Sequence, residues 1–254
     1  MSWAARRRLI ILLIIGALVV AFLASVSIAT FYQTPSCTDD KQNQGESGVD
    51  CGGPCSYLCT ADAQPPTVLF TKAVSNSAGR TDIIALVENK NAIAAAKNVP
   101  YRIQLYGADR TLLRELTGTL DLPPGATEPV FLPGVSSGKQ IVAGAFLTID
   151  PSAPKWFTLA SDTRTMPRVS STNQTGTRDA PRVEAVLTNA SVTPLTGVRV
   201  IVLVRNQEGS VIAASQTIVP VIPAQGNATA TFTWNSAFPD TPASIGVMPI
   251  IPLP

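Results

Sequence analysis

The sequence contains no histidine, and that one absence removes Ser-His-Asp and Cys-His catalysis, His-ligated zinc and imidazole acid–base chemistry. Charge is also scarce. Only 14% of the residues are Asp, Glu, Lys or Arg, and the net charge of +2 comes without a basic cluster interleaved with aromatics. Nucleic acid is therefore not an expected partner. No glycine-rich phosphate loop appears, and the glutamates of the C-terminal two-thirds are few and in no run suggesting a cleft, so the chain is not read as an enzyme.

What the chain does have is apolar residues, 45% of 254, enough for one large domain or two ordinary ones. Its 21 prolines and 17 glycines favour short strands and turns over long helices. The exception is the start. Residues 9–32, LIILLIIGALVVAFLASVSIATFY, form a 24-residue run without a charge. At about 1.5 Å per residue, roughly 20 helical residues cross the hydrocarbon core, so the run is long enough to span a bilayer. Arg6, Arg7 and Arg8 precede it and, by the positive-inside rule, keep residues 1–8 cytoplasmic while the rest is exported. Trp3 and the Phe31-Tyr32 pair stand where interfacial aromatics belong. Ser27-Ile28-Ala29 offers small residues at cleavage-like spacing, but the apolar run exceeds the roughly 7–15 residues of a signal-peptide core, and a retained signal anchor is the expectation. Beyond Tyr32 there are 16 basic against 17 acidic residues, so the exported part is nearly neutral.

All four cysteines fall within 23 residues, Cys37-x13-Cys51-x3-Cys55-x3-Cys59, inside an acidic segment, 36–60, too short for a hydrophobic core. Beyond an anchor thiols oxidise, so two disulfides are expected, with three pairings open. A four-cysteine zinc site is the rival, disfavoured by one lone cysteine ahead of three crowded ones. Asp39, Asn43, Glu46 and Asp50 place oxygen ligands at short spacings beside Gly45 and Gly48, a pattern that suits calcium. The alternative is that they form Asx-turns in a solvated loop.

Cys37, Asp39, Asn43, Glu46, Asp50, Cys51, Gly52, Gly53 and Cys55 give this stretch a resemblance to the cysteine-rich repeat of microbial surface proteins, C-x-D-G-x-x-N-x-x-E-x-x-x-D-C-G-G-x-C-x-x-C. Asp40 stands in place of its glycine and Cys59 comes one residue late. The resemblance covers about a tenth of the chain and implies a surface module.

From Pro65 onward the chain repeats itself at an offset of about 100 residues. Residues 82–89 (DIIALVEN) align with 182–189 (RVEAVLTN), 99–105 with 198–204, and Leu122-Pro123-Pro124-Gly125 with Ile222-Pro223-Ala224-Gln225-Gly226. Ile83, Ala85 and Val87 alternate, as do Val99, Tyr101, Ile103 and Leu105, the period of a half-buried strand. Two β-sandwiches are expected, 65–158 and 165–254, joined by a short linker at Ser161–Ser171 into a semi-rigid rod. Asn89 and Asn189, each ending a strand, suit a left-handed turn. The fold class is thus all-β: two tandem sandwiches after one N-terminal transmembrane helix and a small disulfide-rich segment. The copies resemble the immunoglobulin-like FxLYD-type domains of exported prokaryotic proteins, through Val87-x-Asn89, Val99 to Tyr106 with Asp109, and Leu122-Pro-Pro-Gly125. That resemblance implies an immunoglobulin-like fold and an extracytoplasmic setting, and brings no catalytic residues.

The copies differ on one strand. The outward residues Arg102 and Gln104 of the first copy become Ile201 and Leu203 in the second, making that strand apolar on both faces. Such a strand is normally covered on both sides, here by the other domain or a loop, or else by a protein partner. The sequons at Asn173, Asn189 and Asn227 are attributed to chance in a Ser/Thr-rich chain. Together these features describe an anchored extracytoplasmic binding or scaffolding protein, held in the lipid bilayer through residues 9–32 and serving another envelope or surface protein. An accessory subunit of an envelope secretion or appendage assembly, and a calcium-dependent adhesin, are the alternatives.

Overall fold

A computed structural model of the chain describes residues 3–31, 36–77, 80–136, 141–159 and 162–254. Tyr32 and Ser161, which close the expected anchor and open the expected linker, lie outside the described residues. The chain divides into two compact units, Met1–Cys55 and Ser56–Pro254.

In the first unit α1 runs from Trp3 to Phe31. Its 29 residues would extend about 43 Å, longer than a bilayer's hydrocarbon core. Apolar side chains occur on every side of it and none of its membrane-length stretch is buried in protein. The few hydroxyls are absorbed internally: Ser25 donates to the Ala21 carbonyl at 2.8 Å and Thr30 to the Val26 carbonyl at 2.7 Å. The helix is therefore long and apolar enough to cross a membrane.

Apart from a short 3-10 helix at Thr60–Asp62, the regular structure of the second unit is antiparallel sheet. Its strands are β1 (Thr67–Ser77), β2 (Arg80–Glu88), β3 (Ala94–Tyr106), β4 (Leu112–Leu122), β5 (Thr127–Ser136), β6 (Gly144–Thr148), β7 (Trp156–Thr158), β8 (Arg168–Thr177), β9 (Ala180–Thr188), β10 (Leu195–Arg205), β11 (Val211–Ile222), β12 (Asn227–Thr233) and β13 (Ser244–Ile250). They form four sheets, ordered β1-β2-β5, β4-β3-β6 with β7 added to β3, β12-β9-β8 and β11-β10-β13. The second pair of sheets follows the same chain order as the first.

Three apolar layers hold these sheets together. Ile83, Ala85 and Val87 of β2 meet Val99, Tyr101, Ile103 and Leu105 of β3, as their alternation predicts. Val183 and Leu187 of β9 meet Val198, Val200, Val202 and Val204 of β10, with Phe232 and Trp234. The alanine-rich stretch Ala94–Ala96 is not helical. It opens β3 and pairs with β7, and Ala94 and Ala96 join Trp156 in the first core. At one cross-strand pair, Tyr101 lies over Gly118, where an added Cβ would come within 2.3 Å of the phenol oxygen.

The third layer joins the two sandwiches. The other faces of β1, β2 and β5 (Phe70, Val74, Ile84, Leu86, Phe131) pack on the other faces of β10, β11 and β13 (Ile201, Leu203, Val211, Ala214, Met248, Ile250). The sandwiches are thus stacked sheet on sheet within one compact unit, rather than strung through the linker as a rod.

Asn89 and Asn189 are not left-handed turn residues, contrary to the sequence expectation, because their side chains have a different task. Both are essentially fully buried. The Asn89 amide donates to the carbonyls of Ala94 (2.8 Å), Leu122 (3.3 Å) and Pro123 (2.8 Å), and its oxygen accepts from the Asn91 backbone N–H (3.0 Å). Asn189 makes the same set with Thr193, Ile222, Pro223 and Ser191. Each asparagine ties the end of one sheet to the entry and exit of the other by donating to backbone carbonyls there.

Candidate functional site

The cysteine segment folds around its disulfides. Cys37 and Cys55 are bonded, with Cα atoms 5.7 Å apart, and Cys51 and Cys59 are disulfide-bonded as well. No described cysteine is free, which removes the zinc alternative. The Gly52-Gly53 pair takes positive φ at both positions, and a Cβ on Gly53 would lie 2.2 Å from the Gly45 carbonyl oxygen. That approach lets the loop close tightly enough to bury Cys55 and Glu46.

The four candidate calcium ligands do lie in this loop, but their oxygens hold the backbone. Asp50 accepts from the backbone N–H groups of Asp39 and Asp40, each at 2.9 Å. Glu46 accepts from Asn43 and Asp50 N–H, each at 3.3 Å, and from the Gln44 side chain. Asp39 accepts from Lys41 N–H at 3.1 Å and from the Asn43 amide at 2.8 Å, and the latter bond chiefly holds its carboxyl below the usual range. Asn43 Oδ1 is buried without a hydrogen-bond partner, a lone acceptor. Among the described residues the cluster of acids and sulfurs tight enough for an ion is Cys37, Glu46 and Cys55, whose sulfurs are bonded to each other. The bonds from Asp39, Glu46 and Asp50 to the loop's own N–H groups are those of the Asx-turn alternative that the same residue types predict.

Ile201 and Leu203, the candidate partner surface, are each 1% exposed. The partner that covers them is the first sandwich of the same chain, so they do not present an external face. Sequence reasoning missed the complementary half. Ile84 and Leu86 of β2 are as apolar as the inward residues beside them, so β2 also carries two apolar faces. Of the three sequons, Asn189 is buried with its amide nitrogen engaged, whereas Asn173 and Asn227 are exposed.

The outer faces carry scattered apolar side chains. Phe146, 61% exposed, stacks edge-on against Tyr106 on the outside of the β4-β3-β6 sheet. β8 is a polar, exposed edge strand with a register irregularity between Val169 and Ser171.

No protein-family model matches the chain, and no curated protein does. Solved structures give distant likenesses. Red sea bream transglutaminase is 12% identical, with a TM-score of 0.23 over 69% of this chain and 27% of that one. A β-glucuronidase from glycoside hydrolase family 2 is 12% identical, with a TM-score of 0.22 over 83% and 26%. A putative β-galactosidase from Bacteroides fragilis is 13% identical, with a TM-score of 0.20 over 70% and 33%. This chain therefore spans only about a quarter to a third of those proteins, and likenesses this weak say nothing of its activity.

Proposed function

We propose that the protein is a membrane-anchored extracytoplasmic scaffold, with α1 retained in the bilayer and the sheets outside, where they serve another envelope protein. One pairing of features carries this reading: a helix apolar on every side lies a few residues ahead of a segment whose cysteines are all oxidised. Thiols are held reduced in most cytosols, so a disulfide-stapled loop next to a membrane-length helix belongs on the oxidising side. The preceding arginines favour the matching orientation.

The two sandwiches are read as copies of one immunoglobulin-like domain. Support comes from the shared strand order and from the paired asparagine networks. Stacking through a third apolar layer makes them a stiff body rather than a tether, which suits holding a partner at a fixed place. The mechanism is burial of surface rather than bond chemistry.

The test is mass spectrometry of the protein recovered from host membranes, combined with protease treatment of intact cells. An intact N-terminus, with the sheets digested from outside, supports the reading. A chain lacking α1, or sheets protected until the cells are broken, refutes it.

A further inference from the structure

A cavity of about 380 Å³ opens in the second unit where the edge of the first sandwich meets the second. Its charged lining falls into two groups. Arg164 and Asp121 are spent: Arg164 Nε and Nη2 grip Asp162 at 2.9 and 2.7 Å and its Nη1 donates to the Ile251 carbonyl, while Asp121 accepts from the N–H groups of Asn98 at 2.9 Å and Leu253 at 3.0 Å. Glu128 and Arg199 are not. Both line the cavity, and neither has a hydrogen-bond or ion-pair partner among the described residues.

An acid and a base that share a cavity yet do not meet leave room for a bridge. Phe131, Ile201 and Ile250 supply apolar wall to the same cavity. We infer that this cavity binds a small zwitterion, an amino acid or dipeptide, whose ammonium group pairs with Glu128 and whose carboxylate pairs with Arg199. The volume sits near the lower end of the roughly 300–1,000 Å³ typical of ligand pockets, which limits the ligand to that size. Guanidinium and carboxylate match in geometry, and an ammonium is a compact donor for a half-buried carboxylate.

The state of Glu128 agrees with this. Burial pushes its carboxyl up to about 7. Arg164 and Arg199 pull it down from their side, while Asp121 and Asp162 push it further up, and Tyr101 lines the same cavity. Among the described residues no cation stands at ion-pairing distance from its charged form, and the ligand's ammonium would supply one.

The experiment is isothermal titration of the full-length protein in detergent with glycyl-leucine. The comparison ligands are glycyl-leucinamide, which has only the ammonium, and N-acetylglycyl-leucine, which has only the carboxylate. The expected result is saturable binding of the zwitterion, at least about tenfold tighter than either analogue, and weaker as pH falls from about 8 to about 6. Glu128→Gln should abolish the preference over the carboxylate-only analogue, and Arg199→Gln the preference over the ammonium-only one. Absence of saturable binding up to about 10 mM, or equal binding of all three ligands, overturns the inference. The analogue comparison uses the unaltered protein, so a variant that fails to fold does not rescue the idea. Neither result bears on whether α1 is retained in the membrane.

Discussion

Giving β10 the outward residues of β3 tests the stacking of the two sandwiches directly. The variant is Ile201→Arg with Leu203→Gln, matching Arg102 and Gln104 at the corresponding places. Both side chains are 1% exposed, and each contributes about 1.5–3 kcal/mol by burial, so about 3–6 kcal/mol is lost from the layer between the sandwiches. The cost rises further because the new guanidinium would enter the apolar layer of Ile84, Leu86 and Phe70, and pairing with Glu128, which lines the same cavity as Ile201, would return only part of it. The two inner cores contain neither residue, so each sandwich keeps its own reason to fold. Calorimetry of the full-length protein in detergent should show one cooperative transition for the parent sheets. The variant should show two, the lower displaced by at least about 6 °C, with faster amide exchange along β2. A single transition within about 2 °C of the parent would refute the claim that this layer couples the sandwiches.

Other perturbations address the remaining features. Asn89→Ala and Asn189→Ala should each cost about 2–3 kcal/mol in thermal unfolding, because buried carbonyls lose their donor; equal stability of variant and parent would remove the stitching role. Cys37→Ser with Cys55→Ser opens a loop of separation 18 and should cost the segment about 3 kcal/mol, read as rapid proteolysis between those positions while the sheets stay intact. Calcium against a chelator should move the melting temperature by less than about 1 °C, since the oxygens of Asp39, Glu46 and Asp50 are committed to the loop's own backbone. Burial holds Glu128 at about 7 in the folded chain against 4.5 unperturbed, so the folded state keeps a proton that the unfolded chain gives up in that interval. Stability should therefore decline as pH rises from about 4.5 to about 7, and Glu128→Gln should flatten that decline in urea titrations.

Local pattern carried most of the secondary structure. The alternation in β2 and β3 announced which residues face the first core, and the helix needed nothing beyond its own apolar length. The acidic loop was harder. Carboxylates spaced for a cation and carboxylates spaced to cap backbone N–H groups have the same sequence, and only the directions of their hydrogen bonds tell them apart. The asparagines misled for a related reason. A residue that tolerates left-handed backbone also carries a two-donor amide, and the amide's use depends on carbonyls more than thirty positions away, at Leu122, Pro123, Ile222 and Pro223.

The partner of Ile201 and Leu203 was written in the chain, though not beside them. A strand with two apolar faces states that something covers it and leaves the covering element unnamed. Yet β2 has the same property, with Ile84 and Leu86 on the face away from its core. One such strand in a sequence points outward, to a partner or a membrane. Two in one polypeptide, on separate sandwiches joined by a short linker, can satisfy each other at high effective concentration, and an external protein would have to compete with that. The weight of a doubly apolar strand as a sign of external binding therefore depends on whether the same chain holds a second.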